Sequence, residues 1–254
     1  MNRIKKIFSK KTNKVIPFLT AGYPNLDDTL DLVLSAEKAG ADMVEIGMPF
    51  SDPLADGPII QEASTVALEN GVTINWILNT VAEIRTKSSI PLVLMGYINP
   101  ILKFGMKKFL SECKSAGVDG LIIPDLPPEE IRIFKELASE NGISLIMLVA
   151  PNTSAERIKY ISEIAEDLIY CVSILGITGS DSSNNNLEAY LNRVDENSTC
   201  PFVVGFGISS REDVEKINEL SHGTVIGSAI IKKLKGSSNP ANIVYDYIKD
   251  LKND

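Results

Sequence analysis

The sequence predicts an α/β fold, one domain over residues 1–254 built as a closed barrel of parallel strands wrapped in helices, and three observations predict it. Eight short apolar runs, rich in β-branched residues and leucine, recur along the chain. Most are apolar throughout rather than alternating, the pattern of strands covered on both faces. One joint recurs between them: Ala39-Gly40-Ala41-Asp42, Ala116-Gly117-Val118-Asp119 and Asn141-Gly142-Ile143-Ser144 each read as a helix-ending glycine followed at once by a strand. Eight strands with intervening helices over this length match a (β/α)8, or TIM, barrel. An open doubly wound sheet is the alternative, weakened because no glycine-rich dinucleotide turn follows the first strand.

The strands are expected at Val15–Leu19, Met43–Ile46, Leu92–Met95, Gly120–Ile123, Ser144–Val149, Leu168–Ser173, Phe202–Val204 and Thr224–Ile226. A helix is expected over Asp27–Ala39: acids stand early (Asp27, Asp28, Asp31), Leu30, Val33 and Leu34 recur at helical spacing, and Gly40 follows. A short helix, Ser228–Leu234, follows the eighth strand and carries Lys232, Lys233 and Lys235 at its far end. An extra helix is expected at the N-terminus. The polar tract Gly179–Asn186 reads as a flexible loop after the sixth strand, not as a domain boundary.

Composition narrows the function. Hydrophobic residues make up 44% of the chain and charged residues 23%, ordinary for a globular protein. A net charge of −8 argues against nucleic acid or anionic membrane as partner. The cysteines, Cys113, Cys171 and Cys200, are odd in number and far apart, so neither a disulfide framework nor a zinc site is expected. The basic N-terminus lacks an apolar run behind it, and no segment approaches transmembrane length. The expectation is a cytoplasmic protein.

The stretch Glu45-Ile46-Gly47-Met48-Pro49-Phe50-Ser51-Asp52-Pro53-Leu54-Ala55-Asp56-Gly57-Pro58 is the most informative. Glu45 interrupts an apolar strand, where a carboxylate is costly to desolvate unless it is paired or used. Asp52 and Asp56 follow on a proline-stiffened loop. They serve either chemistry or turn capping, and both readings stand at this point. Asp125 closes the fourth strand run and is a further candidate. None of the strand runs holds a lysine, so a Schiff-base aldolase has no nucleophile. The single histidine, His222, precedes the eighth strand, where it reads as a surface residue remote from chemistry. Metal aldolase chemistry is therefore not expected.

Glycine-rich loops follow the last three strands: Gly176-Ile177-Thr178-Gly179, Gly205-Phe206-Gly207-Ile208-Ser209 and Gly227-Ser228-Ala229. In barrels the loops after strands seven and eight commonly hold a phosphate, often on the N-terminus of a short helix. Tight turns without a ligand are the plainer alternative. Tyr97 and Tyr170 read either as site walls or as core aromatics.

Together these residues make the chain resemble the tryptophan synthase α subunit family. The long acid-bearing stretch carries the resemblance. Pro17-Phe18-Leu19-Thr20-Ala21-Gly22-Tyr23-Pro24, Met95-Gly96-Tyr97-Ile98-Asn99-Pro100, Gly205-Phe206-Gly207-Ile208-Ser209 and Gly227-Ser228-Ala229-Ile230 follow in the expected order. The resemblance implies retro-aldol cleavage of indole-3-glycerol phosphate to indole and glyceraldehyde 3-phosphate. It makes Glu45 the proton shuttle and Asp56 the acceptor of the indole N–H. It assigns phosphate contacts to Gly179, Gly207, Gly227 and Ser228. An indole pocket follows from Phe18, Met95, Tyr97, Ile122, Tyr170 and Phe206. It implies a partner, the β subunit, in an α2β2 complex facing Asp52, Pro53, Asn99 and Pro100. Pyridoxal phosphate would belong to that partner, and no cofactor or metal to this chain. A barrel acting mainly as allosteric partner of the β subunit is the alternative. The chain departs from many relatives at the start of the loop after strand six, Ser173-Ile174-Leu175-Gly176, and in its polar continuation.

Overall fold

Most strands of the barrel begin a few residues after a helix has been stopped. The helix Met106–Ala116 ends on Gly117 (φ 88°), and the helix Arg132–Asn141 ends on Gly142 (φ 71°), both left-handed. That conformation is cheap only for glycine; it ends the helix and turns the chain back toward the sheet. The computed structural model describes residues 3–9, 13–165, 167–172, 181–205 and 207–252.

Within these residues eight strands form a closed parallel barrel. They are β1 (Val15–Thr20), β2 (Val44–Gly47), β3 (Leu92–Met95), β4 (Gly120–Ile122), β5 (Ser144–Val149), β6 (Ile169–Val172), β7 (Phe202–Gly205) and β8 (Thr224–Ile226). Each pairs with the next, and Val15 opposite Thr224 closes the ring. Nearly every strand residue is buried, because side chains fill the barrel on one face and meet helices on the other. The expected strands agree with these to within a residue or two.

The helices are α1 (Arg3–Ile7), α2 (Asp28–Lys38), α3 (Pro58–Glu69), α4 (Ile74–Arg85), α5 (Ile98–Phe104), α6 (Met106–Ala116), α7 (Arg132–Asn141), α8 (Ala155–Ala165), α9 (Asp181–Asn197), α10 (Arg211–Leu220), α11 (Ser228–Leu234) and α12 (Pro240–Lys252). The N-terminal helix α1 exists as expected and lies at the N-terminal end of the strands. Ile4 is fully buried beside Gly120, and Arg3 reaches Asp119 at 2.8 Å. Asp119 is buried just ahead of β4. Its other oxygen takes Arg85 at 2.5 Å and the Leu92 N–H at 2.8 Å.

Two expectations are corrected. The tract Gly179–Asn186 is not a loop throughout: α9 begins at Asp181, while residues 179 and 180 lie outside the described residues. Leu187, Tyr190, Leu191 and Val194 are buried at helical spacing. Tertiary packing of that face carries the helix back through poor helix formers. His222 is half-buried rather than a surface residue. Its ring stands edge-on to Phe202 at 5.2 Å, and its backbone N–H donates to the Phe202 carbonyl. It does precede β8, at the end of the barrel away from the strand C-termini. Cys113 and Cys171 are buried free thiols, as read for Cys171. Among the described residues no helix is long and apolar enough to cross a membrane. No group of three His, Cys, Asp or Glu side chains there could hold a metal ion.

Candidate active site

A pocket of about 230 Å³ opens at the C-terminal ends of the strands. Glu45 enters it from the rigid centre of β2, between Phe18 of β1 and Val93 of β3 in register. Strand alternation turns Glu45 into the barrel and leaves Val44 and Ile46 against the helices. Glu45 is 1% exposed, and its Oε1 finds no hydrogen-bond partner among the described residues. Burial, reinforced by the negative charge of Asp56, pushes its carboxyl up to about 8. The group is thus protonated near neutrality and ready to act as an acid.

Asp56 approaches from the β2–α3 loop. Pro58 starts α3 immediately after it, and proline suits a first helical turn because its missing N–H would have had no partner there. That fixes where the loop must end. Two contacts hold the loop: Gln61 Nε2 donates to the Asp56 carbonyl at 2.8 Å, and the Ala55 N–H donates to the Tyr97 hydroxyl at 2.9 Å. Burial raises the Asp56 carboxyl, while its hydrogen bond with Tyr97 pulls it down. Tyr97 itself is pushed up to about 12, chiefly by burial. It remains a neutral phenol and can donate to a carboxylate.

The far side of the pocket is made by the expected glycine loops. Gly207 has φ 76° in the turn after β7, and Gly227 and Ser228 begin α11. The first amides of any helix lack intrahelical acceptors, and Lys232 and Lys233 stand in the last turn, away from the pocket. The arrangement puts helix-start amides, which attract anions, in the same pocket as the two acids.

Of the residues expected at the site, Glu45, Asp56, Phe18, Met95, Tyr170, Gly207, Gly227 and Ser228 share this pocket. Tyr97 lines a smaller adjoining cavity with Asp56 and Met95. Ile122 is buried at the end of β4, in register with the pocket-lining Met95, and is not among the residues that line this pocket. Gly179 and Phe206 lie outside the described residues. Asp52 and Pro53 on the β2–α3 loop and Asn99 and Pro100 in the first turn of α5 are exposed or half-exposed, and Leu54 beside Pro53 is 90% exposed. Asp125 is a helix cap: its Oδ1 accepts the Ile98 N–H that opens α5, at 2.9 Å.

The sequence reading missed Ile59, Ile60, Ile208 and Val225, all of which line the pocket. The first two had a signal, since the turn after Pro58 must wall whatever Asp56 faces. Val225 had none, because buried strand residues look alike until the barrel closes.

The comparisons bear on this geometry. The tryptophan synthase alpha chain family model matches residues 4–252. The chain belongs to that family. The tryptophan synthase alpha chain of Petrotoga mobilis is 45% identical over 250 residues, 98% of this chain and 96% of the relative. Tryptophan synthase subunit alpha from Legionella pneumophila superposes with a TM-score of 0.91 at 34% identity, covering 99% of this chain and 97% of that one. A chain of the tryptophan synthase complex from Pyrococcus furiosus superposes at 0.87 and 36% identity, covering 94% and 97%. Family membership explains why the two acids and the glycine loops recur in one order along the sequence.

Proposed function

We propose that the chain cleaves indole-3-glycerol phosphate to indole and glyceraldehyde 3-phosphate, a retro-aldol reaction feeding L-tryptophan synthesis. The observation that carries this reading is one pocket lined by both Glu45 and Asp56 and by the Gly207, Gly227 and Ser228 backbone. The reaction must expel an electron pair onto indole C3, a poor acceptor. Protonated Glu45 first gives its proton to C3, which makes the ring an indoleninium cation. Asp56 accepts the N1–H hydrogen bond and balances that positive charge. The Glu45 carboxylate then takes the proton of the hydroxyl on the adjacent glycerol carbon. The carbon–carbon bond breaks, the oxygen becomes the aldehyde carbonyl, and the electron pair restores the aromatic ring. Glu45 ends protonated, as it began. Phe18, Met95 and Tyr170 supply the apolar wall against the ring, and the phosphate rests on the amides of Gly207 and Gly227 with the Ser228 hydroxyl.

The cycle requires protonated Glu45 at its start. Indole release is therefore expected to fall as pH rises through about 8, the range in which burial and Asp56 place this carboxyl. A kcat profile flat from pH 6 to 10 would contradict the assignment. Asp56→Asn keeps the shape and removes the charge beside the cation. A fall in kcat/KM of about 10²-fold is expected, the scale of losing one preorganised electrostatic partner. Steady-state indole formation checks it. The presence of both acids in one cavity favours an enzyme over a barrel serving only as allosteric partner.

The proposal includes the partner. Asp52, Pro53, Asn99 and Pro100 would face the β subunit of an α2β2 complex in the cytoplasm. Exposed Leu54 (90%) on the β2–α3 loop and Leu102 (51%) on α5 support a protein surface there. Pyridoxal phosphate would sit in the β subunit. Neither nucleic acid nor membrane is part of the reading.

A further inference from the structure

Helix α12 lies behind the phosphate end of the pocket and reaches it through one side chain. The Tyr247 hydroxyl donates to the Ser209 carbonyl at 2.6 Å, across 38 positions of sequence. Ser209 closes the turn that follows β7 and contains Gly207. Its N–H is held on the other side by Asp213 Oδ2 at 3.1 Å, part of the capping box that starts α10. The same Tyr247 ring receives Lys233 of α11, whose Nζ is 4.8 Å from the ring centroid. One buried aromatic thus touches both elements that present the anion-facing backbone, the β7 turn and the helix behind Gly227 and Ser228.

We propose that Tyr247 is a positioning residue for phosphate recognition. Its hydroxyl fixes the Gly207–Ser209 turn against α11, so that the two sets of backbone donors converge on one anion. The inference rests on the phosphate reading of the pocket proposed above. The Ser210 N–H donates to the same Asp213 oxygen at 3.0 Å, so without Tyr247 the turn is anchored at one carboxylate oxygen and can pivot about it. Holding its carbonyl as well removes the pivot, and preorganised donors bind an anion without an ordering cost.

The test is Tyr247→Phe, which keeps the ring and its packing and removes the hydroxyl. Indole-3-glycerol phosphate cleavage is measured with glycerol 3-phosphate as competing anion, and indole-glycerol without phosphate serves as second substrate. The expected result is a rise of about three- to tenfold in KM and in the glycerol 3-phosphate inhibition constant, the effect of one neutral hydrogen bond. In the same variant kcat should stay within twofold, and kcat/KM for the unphosphorylated substrate should not move. Tyr245→Phe, on the same helix but facing Lys38 and Lys249, should leave all four quantities unchanged. Unchanged KM and inhibition constant in Tyr247→Phe overturn the inference. So does a proportional loss on both substrates, which marks a general structural role. Wild-type cleavage insensitive to glycerol 3-phosphate is a separate outcome that removes the phosphate reading itself.

Discussion

Glu45→Gln is expected to lower kcat for indole release by about 10³-fold, within the usual range of about 10²–10⁴ for a general acid–base group. Glutamine fills the same space and makes similar polar contacts but cannot give a proton to C3 or take one from the glycerol hydroxyl. The substitution should not weaken the fold, and its effect on stability has a defined sign. The folded carboxyl titrates near 8 and the unfolded one near 4.5. Between those values the native state holds a proton that the unfolded state has lost. Stability of the parent protein therefore declines as pH rises through that window. Glutamine removes the decline, so the variant should gain relative stability from pH 5 to pH 8. Denaturant unfolding at the two pH values, beside indole formation, reads both effects. A variant that retains activity, or one whose loss is matched by unfolding, would remove Glu45 from the chemistry.

Asp119→Ala is expected to destabilise the fold by about 3–5 kcal/mol, the cost of removing one partner of a buried ion pair. Arg85 is 10% exposed and held by Asp119 at 2.5 Å, and it also donates to the Gly117 and Ile90 carbonyls. Burial, with a smaller part from Arg3, lowers the Arg85 pKa, and the negative charges of Asp119 first and then Glu37 oppose this. Without the carboxylate the guanidinium stays buried and uncompensated, the Leu92 N–H loses its acceptor, and α1 loses the Arg3 contact. At about 2–4 °C per kcal/mol for a chain of this size, Tm should fall by about 6–20 °C. The cluster lies at the opposite end of the barrel from the pocket, so kcat well below the new Tm should stay within twofold. A large loss of kcat without a fall in Tm would show that this end of the barrel reaches the chemistry.

These two carboxylates differ in how far the sequence exposed them. Glu45 stood out because it breaks an apolar run, and a buried strand acid needs a use. Asp119 followed a glycine joint and looked like any polar residue ahead of a strand. Its importance depends on Arg3 and Arg85, 116 and 34 positions away. Asp125 misled in the other direction. It ended a strand as a catalytic acid would, yet it caps α5. In the polar tract after strand six, local propensity predicted a loop, and the buried stripe of α9 overrode it.

The sequence by itself determined the number and order of the strands, the glycine joints, the strand-borne Glu45 and the glycine-rich loops after the last strands. Each is a local pattern: a strand covered on both faces must be apolar, a helix stopped in one residue favours glycine, and a charge in an apolar run is conspicuous. Tertiary structure alone decided which residues share the 230 Å³ pocket, that Tyr97 holds the Asp56 loop, and that Tyr247 grips the turn at Ser209. Those contacts join segments from 38 to more than 200 positions apart, from Tyr247 with Ser209 to the seam of β1 with β8, and only barrel closure sets their distances.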